Sequence, residues 1–268
     1  AMANADRGKH IITTNIEHNA VIRSLRRLKP DGFTVTSLSV DDKGRVNPQD
    51  VAEAVTPQTI LISVMHSNNE TGTIQPVEEI AKIAREKKII FHIDAVDSVG
   101  IVPFDVKAIG ADLVSFASNT FYGPTGVGGL YVRRGVKIFP IFDGGVQENN
   151  KRAGTENLLG IIGMGTAAEI AQRDIHTRYA YLKGLKDKFL RELPNVLDEI
   201  LINTHPVHSL PHLVSASIKY VEGESVMLML DDEGIGVSTR SACATGSLRA
   251  SHVLLSIVAQ RTGYPTEM

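Results

Sequence analysis

The residues able to do chemistry follow short apolar segments. Four such places stand out: Ile16-Glu17-His18-Asn19, His66-Ser67-Asn68-Asn69-Glu70-Thr71-Gly72, His92-Ile93-Asp94-Ala95 and Ser118-Asn119-Thr120-Phe121-Tyr122-Gly123-Pro124. If each preceding segment is a strand, all four fall at one rim of a sheet, where open α/β folds collect ligands. That rim then carries an imidazole, a carboxamide and a carboxylate. A planar, electron-withdrawing pyridine ring needs such a set: Asp94 keeps the ring nitrogen protonated, His18 stacks on the ring and Asn69 hydrogen-bonds its hydroxyl. Each group also has a plainer reading, with His18 a helix cap or surface residue, Asn68–Gly72 a turn and Asp94 an N-cap carboxylate.

The single cysteine, Cys243, sits in Val237-Ser238-Thr239-Arg240-Ser241-Ala242-Cys243-Ala244-Thr245-Gly246. These neighbours are too small and polar to bury a thiol, so an exposed loop with a reactive thiol competes with the reading of a small core residue. One cysteine excludes an intrachain disulfide and a cysteine-rich zinc site, and is compatible with a reducing cytoplasm. No metal site is expected.

Stepping outward, strand-like segments at His10–Thr14, Phe33–Val40, Thr59–Met65, Lys88–Ile93, Asp112–Ala117 and Gly128–Arg133 alternate with helical ones. Asn47-Pro48 has the form of an N-cap followed by proline at the first helical position, opening a helix through Val55. Pro76 opens another, with Val77, Ile80, Ala81 and Ala84 on one face, and a long helix spans Glu156–Leu193. The pattern predicts an α/β fold, a mainly parallel sheet flanked by helices. Past Pro194 come shorter segments at Ile200–Asn203, Val214–Lys219, Glu224–Leu230 and Ser251–Ala259. They predict a large domain over 1–195, incomplete at its N-terminus, and part of a small α+β domain over 196–268 that carries the cysteine loop.

With 268 residues, 43% of them hydrophobic and 22% charged, the chain has material for a sizeable core. A net charge of -2 gives no reason to expect nucleic acid, and no apolar run is long enough to cross a bilayer. Both ends have the look of a piece of something longer.

The succession Ile16-Glu17-His18-Asn19-Ala20-Val21, Met65 to Gly72, His92-Ile93-Asp94-Ala95, Phe121 to Gly129, Arg152-Ala153-Gly154-Thr155 and Ser241-Ala242-Cys243 resembles the cysteine desulfurases. These are pyridoxal-phosphate enzymes of the aspartate-aminotransferase-like fold, fold type I. The resemblance implies that Asp94 pairs with the pyridine nitrogen, His18 stacks on the ring and Asn69 contacts the ring oxygen. It implies that Thr155 reaches the cofactor phosphate of a second copy, hence a homodimer. It further implies that Cys243 takes sulfur from L-cysteine as a persulfide, for delivery to a sulfur acceptor or iron–sulfur scaffold protein.

The chain departs from the family where the cofactor is held. Relatives carry Ser-x-His-Lys before the Phe-Tyr-Gly-Pro segment, the lysine forming a Schiff base and moving the α proton. Here those positions are Ala117, Ser118, Asn119 and Thr120. Threonine has no amine and its hydroxyl barely titrates near neutrality, while Asn119 keeps one hydrogen-bond donor for the phosphate. A ring-contacting glutamine is replaced by Asp97, whose charge repels a phenolate oxygen, and Thr125 replaces a lysine. The family's N-terminal phosphate-binding turn and its C-terminal carboxylate-binding arginine have no counterpart in these residues. The expectation is a cysteine desulfurase-family protein impaired in turnover, with cofactor absent or non-covalent; the alternative is a non-catalytic scaffold or sulfur relay in iron–sulfur assembly.

Overall fold

A computed structural model describes residues 1–239 and 251–262. Its first part alternates strand and helix: β1 (His10–Thr14), α1 (Asn19–Arg27), β2 (Thr34–Leu38), α2 (Pro48–Glu53), β3 (Thr59–Met65), α3 (Val77–Glu86), β4 (Ile90–Asp94), α4 (Val106–Ile109), β5 (Leu113–Ala117) and β6 (Gly128–Val132). The sheet order is β2-β1-β3-β4-β5-β6; β1 to β5 run parallel and β6 pairs antiparallel to β5. A mainly parallel sheet with helices on its faces is what the alternating pattern predicts. It puts the carboxyl ends of β1, β3, β4 and β5 on one rim.

Burial explains the segments. All five residues of β1 are buried, as expected of a strand covered on both faces. In α3 the buried residues are Val77, Ile80, Ala81 and Ala84, the spacing of a single helical stripe. Asn47 caps α2 by accepting from the Gln49 N–H, and Pro48 follows at the first turn. Strand β4 begins two residues later than Lys88, because Lys88 adopts φ 55° and closes the preceding helix with a left-handed turn.

Beyond β6, the turn α5 (Gln147–Asn150) has Glu148 and Asn149 at φ 50° and 54°, so it is not a regular helix. The long helix α6 (Leu158–Glu192) is capped by Asn157. A two-stranded antiparallel sheet, β7 (Ile200–Ile202) with β8 (Ala216–Ile218), then leads to α7 (Gly223–Asp232) and α8 (His252–Thr262). Val253 and Ile257 of α8 pack into the main core with Ile16, Val40 and Val46. Among the described residues, no helix is long and apolar enough to cross a membrane.

Candidate functional site

The carboxyl end of β4 supplies the centre of the site. His92 and Asp94 are two apart, so a strand turns both to the same face. His92 Nδ1 lies 2.8 Å from Ser63 Oγ on β3, and its Nε2 lies 2.9 Å from Ser115 Oγ on β5. One imidazole thus bridges three neighbouring strands. Burial holds its pKa down at about 4, so it is neutral near pH 7.

Asp94 accepts a hydrogen bond from the Val96 N–H at 3.1 Å, which fixes the carboxylate at the start of the following turn. Burial raises its pKa, opposed by that hydrogen bond and by His18. Asp97 lies one turn further on. Burial, then repulsion from Asp94, pushes its pKa up to about 6.

His18 is the N-cap of α1, its Nδ1 accepting from the Ala20 N–H at 3.2 Å. The capping reading is therefore met, and the same residue lines the cavity described below. Immediately before it, Glu17 is fully buried; its Oε1 accepts from Thr14 Oγ1 at 2.7 Å and from the Met65 N–H at 3.0 Å. Burial pushes the Glu17 carboxyl up to about 8, so it is protonated at neutral pH.

Asn68 builds the turn that presents Asn69. Its Oδ1 accepts from the Glu70 N–H at 2.9 Å and the Thr71 N–H at 3.0 Å, while its Nδ2 donates to the Ile16 carbonyl at 3.0 Å. The turn closes at Gly72, whose φ of 75° favours glycine.

These elements enclose a cavity of about 930 Å³ lined by His18, Asn69, Asp94, Asp97 and Asn119, together with Ser63, His92, Ser115 and Ser238. Five of the residues expected to hold a cofactor thus meet at one place. No lysine or arginine lines it among the described residues. A cavity of similar size, about 940 Å³, lies near Arg7, Lys88 and Arg133, away from these residues. The first is the candidate site because the strand ends deliver its polar groups.

Thr120 does not line the cavity; its hydroxyl donates to the Ala117 carbonyl at 2.9 Å. Thr155 lies on the exposed loop before α6 and is not brought to the cavity of its own chain. Cys243 lies outside the described residues. The segments that flank it are nevertheless placed: Ser238 lines the cavity, the Ser251 hydroxyl donates to Glu70, and His252 Nε2 lies 3.0 Å from the Glu17 carbonyl.

Sequence reasoning assigned no role to Ser63, His92, Ser115, Glu17 or Ser238. The signal for the first three was a polar residue inside an apolar strand, on the face shared with Asp94.

The family description aminotransferase class-V matches residues 1–260 of this chain. The chain belongs to that family. It is 49% identical over 257 residues to cysteine desulfurase IscS of Dictyoglomus turgidum, covering 96% of this chain and 65% of that protein. The chain therefore spans less than two thirds of that relative's length. A solved NifS-like protein matches with TM-score 0.88 and 36% identity, over 97% of this chain and 68% of that one. A structure of SspA in complex with cysteine matches with TM-score 0.79 and 31% identity, over 96% and 71% respectively. The mainly parallel sheet with flanking helices is the fold of these class-V neighbours.

Proposed function

We propose that this chain is a cysteine desulfurase-family protein that takes sulfur originating in L-cysteine as a persulfide on Cys243, for iron–sulfur cluster or thio-cofactor assembly. The observation that carries it is the position of Ser238 on the same cavity as Asp94 and His18. Cys243 follows five residues later in the sequence. The relatives named cysteine desulfurase and the cysteine complex of SspA support L-cysteine as the sulfur source.

The cavity fits a pyridoxal phosphate ring, and among the described residues no lysine lines it to form a Schiff base. Asp94 would hold the ring nitrogen, His18 the ring face, and Asn69 and Asn119 supply amide hydrogen bonds. When bound, the cofactor supplies an electron-withdrawing ring that stabilises negative charge on the substrate's α carbon. Neutral His92 and protonated Glu17 add no charge to the surroundings of Asp94, whose carboxylate would face the ring. Overall, L-cysteine and the Cys243 thiol give alanine and the Cys243 persulfide.

Thr120 sits where the family's lysine stands and directs its hydroxyl to Ala117, so turnover by this chain is impaired. That same contact favours a second reading, a relay or scaffold that accepts persulfide sulfur from another protein. A homodimer is supported by Thr155 lying exposed in a loop flanked by exposed Val146, Leu158 and Leu159. The reading places the chain in the cytoplasm, with residues past 195 forming a small domain.

The test is to give the purified chain pyridoxal phosphate and L-cysteine, assay alanine, and map persulfide on Cys243 by mass spectrometry. A parallel sample receives persulfide from an active desulfurase. We expect little alanine and Cys243-specific labelling in the parallel sample, lost in Cys243→Ser. Alanine formation at a rate typical of the family would remove the impairment; no label in either sample would overturn the sulfur-carrying role.

A further inference from the structure

The segment that carries Asp94 and Asp97 is tied down at both ends by one residue. His66 follows the last residue of β3, and its backbone N–H donates to the Asp94 carbonyl at 2.7 Å. Its ring Nδ1 lies 2.7 Å from the hydroxyl of Ser98, the residue after Asp97. The Ser67 hydroxyl joins them, 2.6 Å from that of Ser98. The same stretch of chain opens the turn Asn68–Gly72 that presents Asn69, and the Gln75 N–H returns to the His66 carbonyl at 2.8 Å. The two turns that deliver Asn69, Asp94 and Asp97 to the cavity therefore share a joint.

His66, Ser67 and Ser98 are all buried, and none of them lines the cavity. The His66 ring stands edge-on to Phe104, with centroids 5.0 Å apart, which holds its plane. Burial keeps its pKa down at about 4, so the joint adds no charge behind the two carboxylates. Burying an imidazole and two hydroxyls gains little over apolar side chains of the same shape, yet each is costly once its partner moves away. What such a set supplies is one arrangement in place of several.

We propose that His66 and Ser98 are positioning residues, their hydrogen bond setting the spacing between Asn69 on one turn and Asp94 on the other so that one pyridine ring meets both. The ring is rigid, so its nitrogen and its hydroxyl are a fixed distance apart. Groups on two separate turns engage both only while the turns keep that distance. The inference rests on the cofactor reading given above and adds what holds its two contacts in step.

Calorimetric titration of the purified full chain with pyridoxal 5′-phosphate and with its 3-deoxy analogue, which lacks the ring hydroxyl, tests this. In the parent chain we expect the hydroxylated ring to bind about tenfold more tightly, the worth of one hydrogen bond. Ser98→Ala should weaken that ring and bring the two ligands to within about twofold, because a ring held at Asp94 no longer reaches Asn69. His66→Leu should do the same. His66→Asn, whose amide can stand where Nδ1 stood, should recover the preference, and Asn69→Ala gives the value for the lost contact. Thr59→Val is the control for stability: it breaks a like buried contact, with His10 Nδ1 at 2.7 Å, at the amino end of β3. Thermal melting of each variant should show a loss for Thr59→Val with the preference kept. A lower melting temperature with an intact preference in Ser98→Ala means a merely structural pair; it overturns the inference and leaves the cofactor reading standing. Equal binding of the two ligands by the parent chain overturns the inference as well. Failure of the parent to bind either ligand overturns the cofactor reading and the inference with it.

Discussion

The Thr120 hydroxyl donates to the carbonyl of Ala117 across 2.9 Å. The side chain thus closes the end of β5 on itself and leaves the cavity wall to Asn119. Thr120→Lys should break this contact and give the wall an amine. We expect pyridoxal phosphate to be dialysed away from the parent chain but retained by the variant after borohydride reduction and denaturation, as a mass increase mapped to position 120. A variant that retains no cofactor would show that the lysine alone does not restore attachment.

Glu17 should make the fold sensitive to alkali. Its carboxyl is held at about 8 in the folded chain against an ordinary 4.5, so the folded state binds its proton more tightly than the unfolded state does. The stability it contributes is fully present below pH 4.5, erodes above it and is lost as pH rises through 8. Glu17→Gln keeps an oxygen for Thr14 and Met65 and removes the titration. Urea unfolding at several pH values should show a gain on the order of a few kcal/mol above pH 8 and a flatter profile.

His92 behaves in the opposite sense. Its folded pKa of about 4 lies below the ordinary 6.5, so its stability is fully present above pH 6.5 and is lost as pH falls through 4. His92→Leu leaves the Ser63 and Ser115 hydroxyls without their partner, at a cost of about 1–3 kcal/mol each if buried dry. We expect lower stability at neutral pH together with a shallower acid limb, both read from denaturant midpoints.

Asp94→Asn should spare the fold and weaken the cofactor. The amide oxygen can still accept from the Val96 N–H, but the charge facing a protonated ring nitrogen is gone. Loss of one charge-assisted hydrogen bond predicts about 10- to 100-fold weaker binding. Calorimetry should show this with an unchanged melting temperature in the ligand-free chain.

Most of the sheet was legible because its strands are apolar runs of the right length. His10–Thr14 and Thr59–Met65 coincide with β1 and β3 as observed. The helix stripe Val77, Ile80, Ala81, Ala84 and the Asn47-Pro48 start were equally plain. His18, Asn69 and Asp94 stood out because each lies at or just past a strand end, whereas Asp97 and Asn119 were assigned by resemblance; all five line one cavity. His92 and Glu17 were harder to see. Their importance lies in burial and in partners 20 to 50 residues away in sequence, such as Ser115 and Met65, which a local pattern does not reveal. Thr155 was singled out only by resemblance, and its exposed position cannot be tied to the cavity of the same chain.

The contact of His92 with Ser63 and Ser115 has a consequence for assembly of the sheet. Side chains alternate between faces along a strand, so a slip of one residue in β3, β4 or β5 turns one partner to the far side. The imidazole would then be buried with a nitrogen unpaired, while the apolar residues around it would lose little by the exchange. A single polar side chain therefore acts as a proofreader of strand pairing, rejecting the near-miss registers that greasy parallel strands would otherwise tolerate. The cavity floor comes into being only in the register that passes.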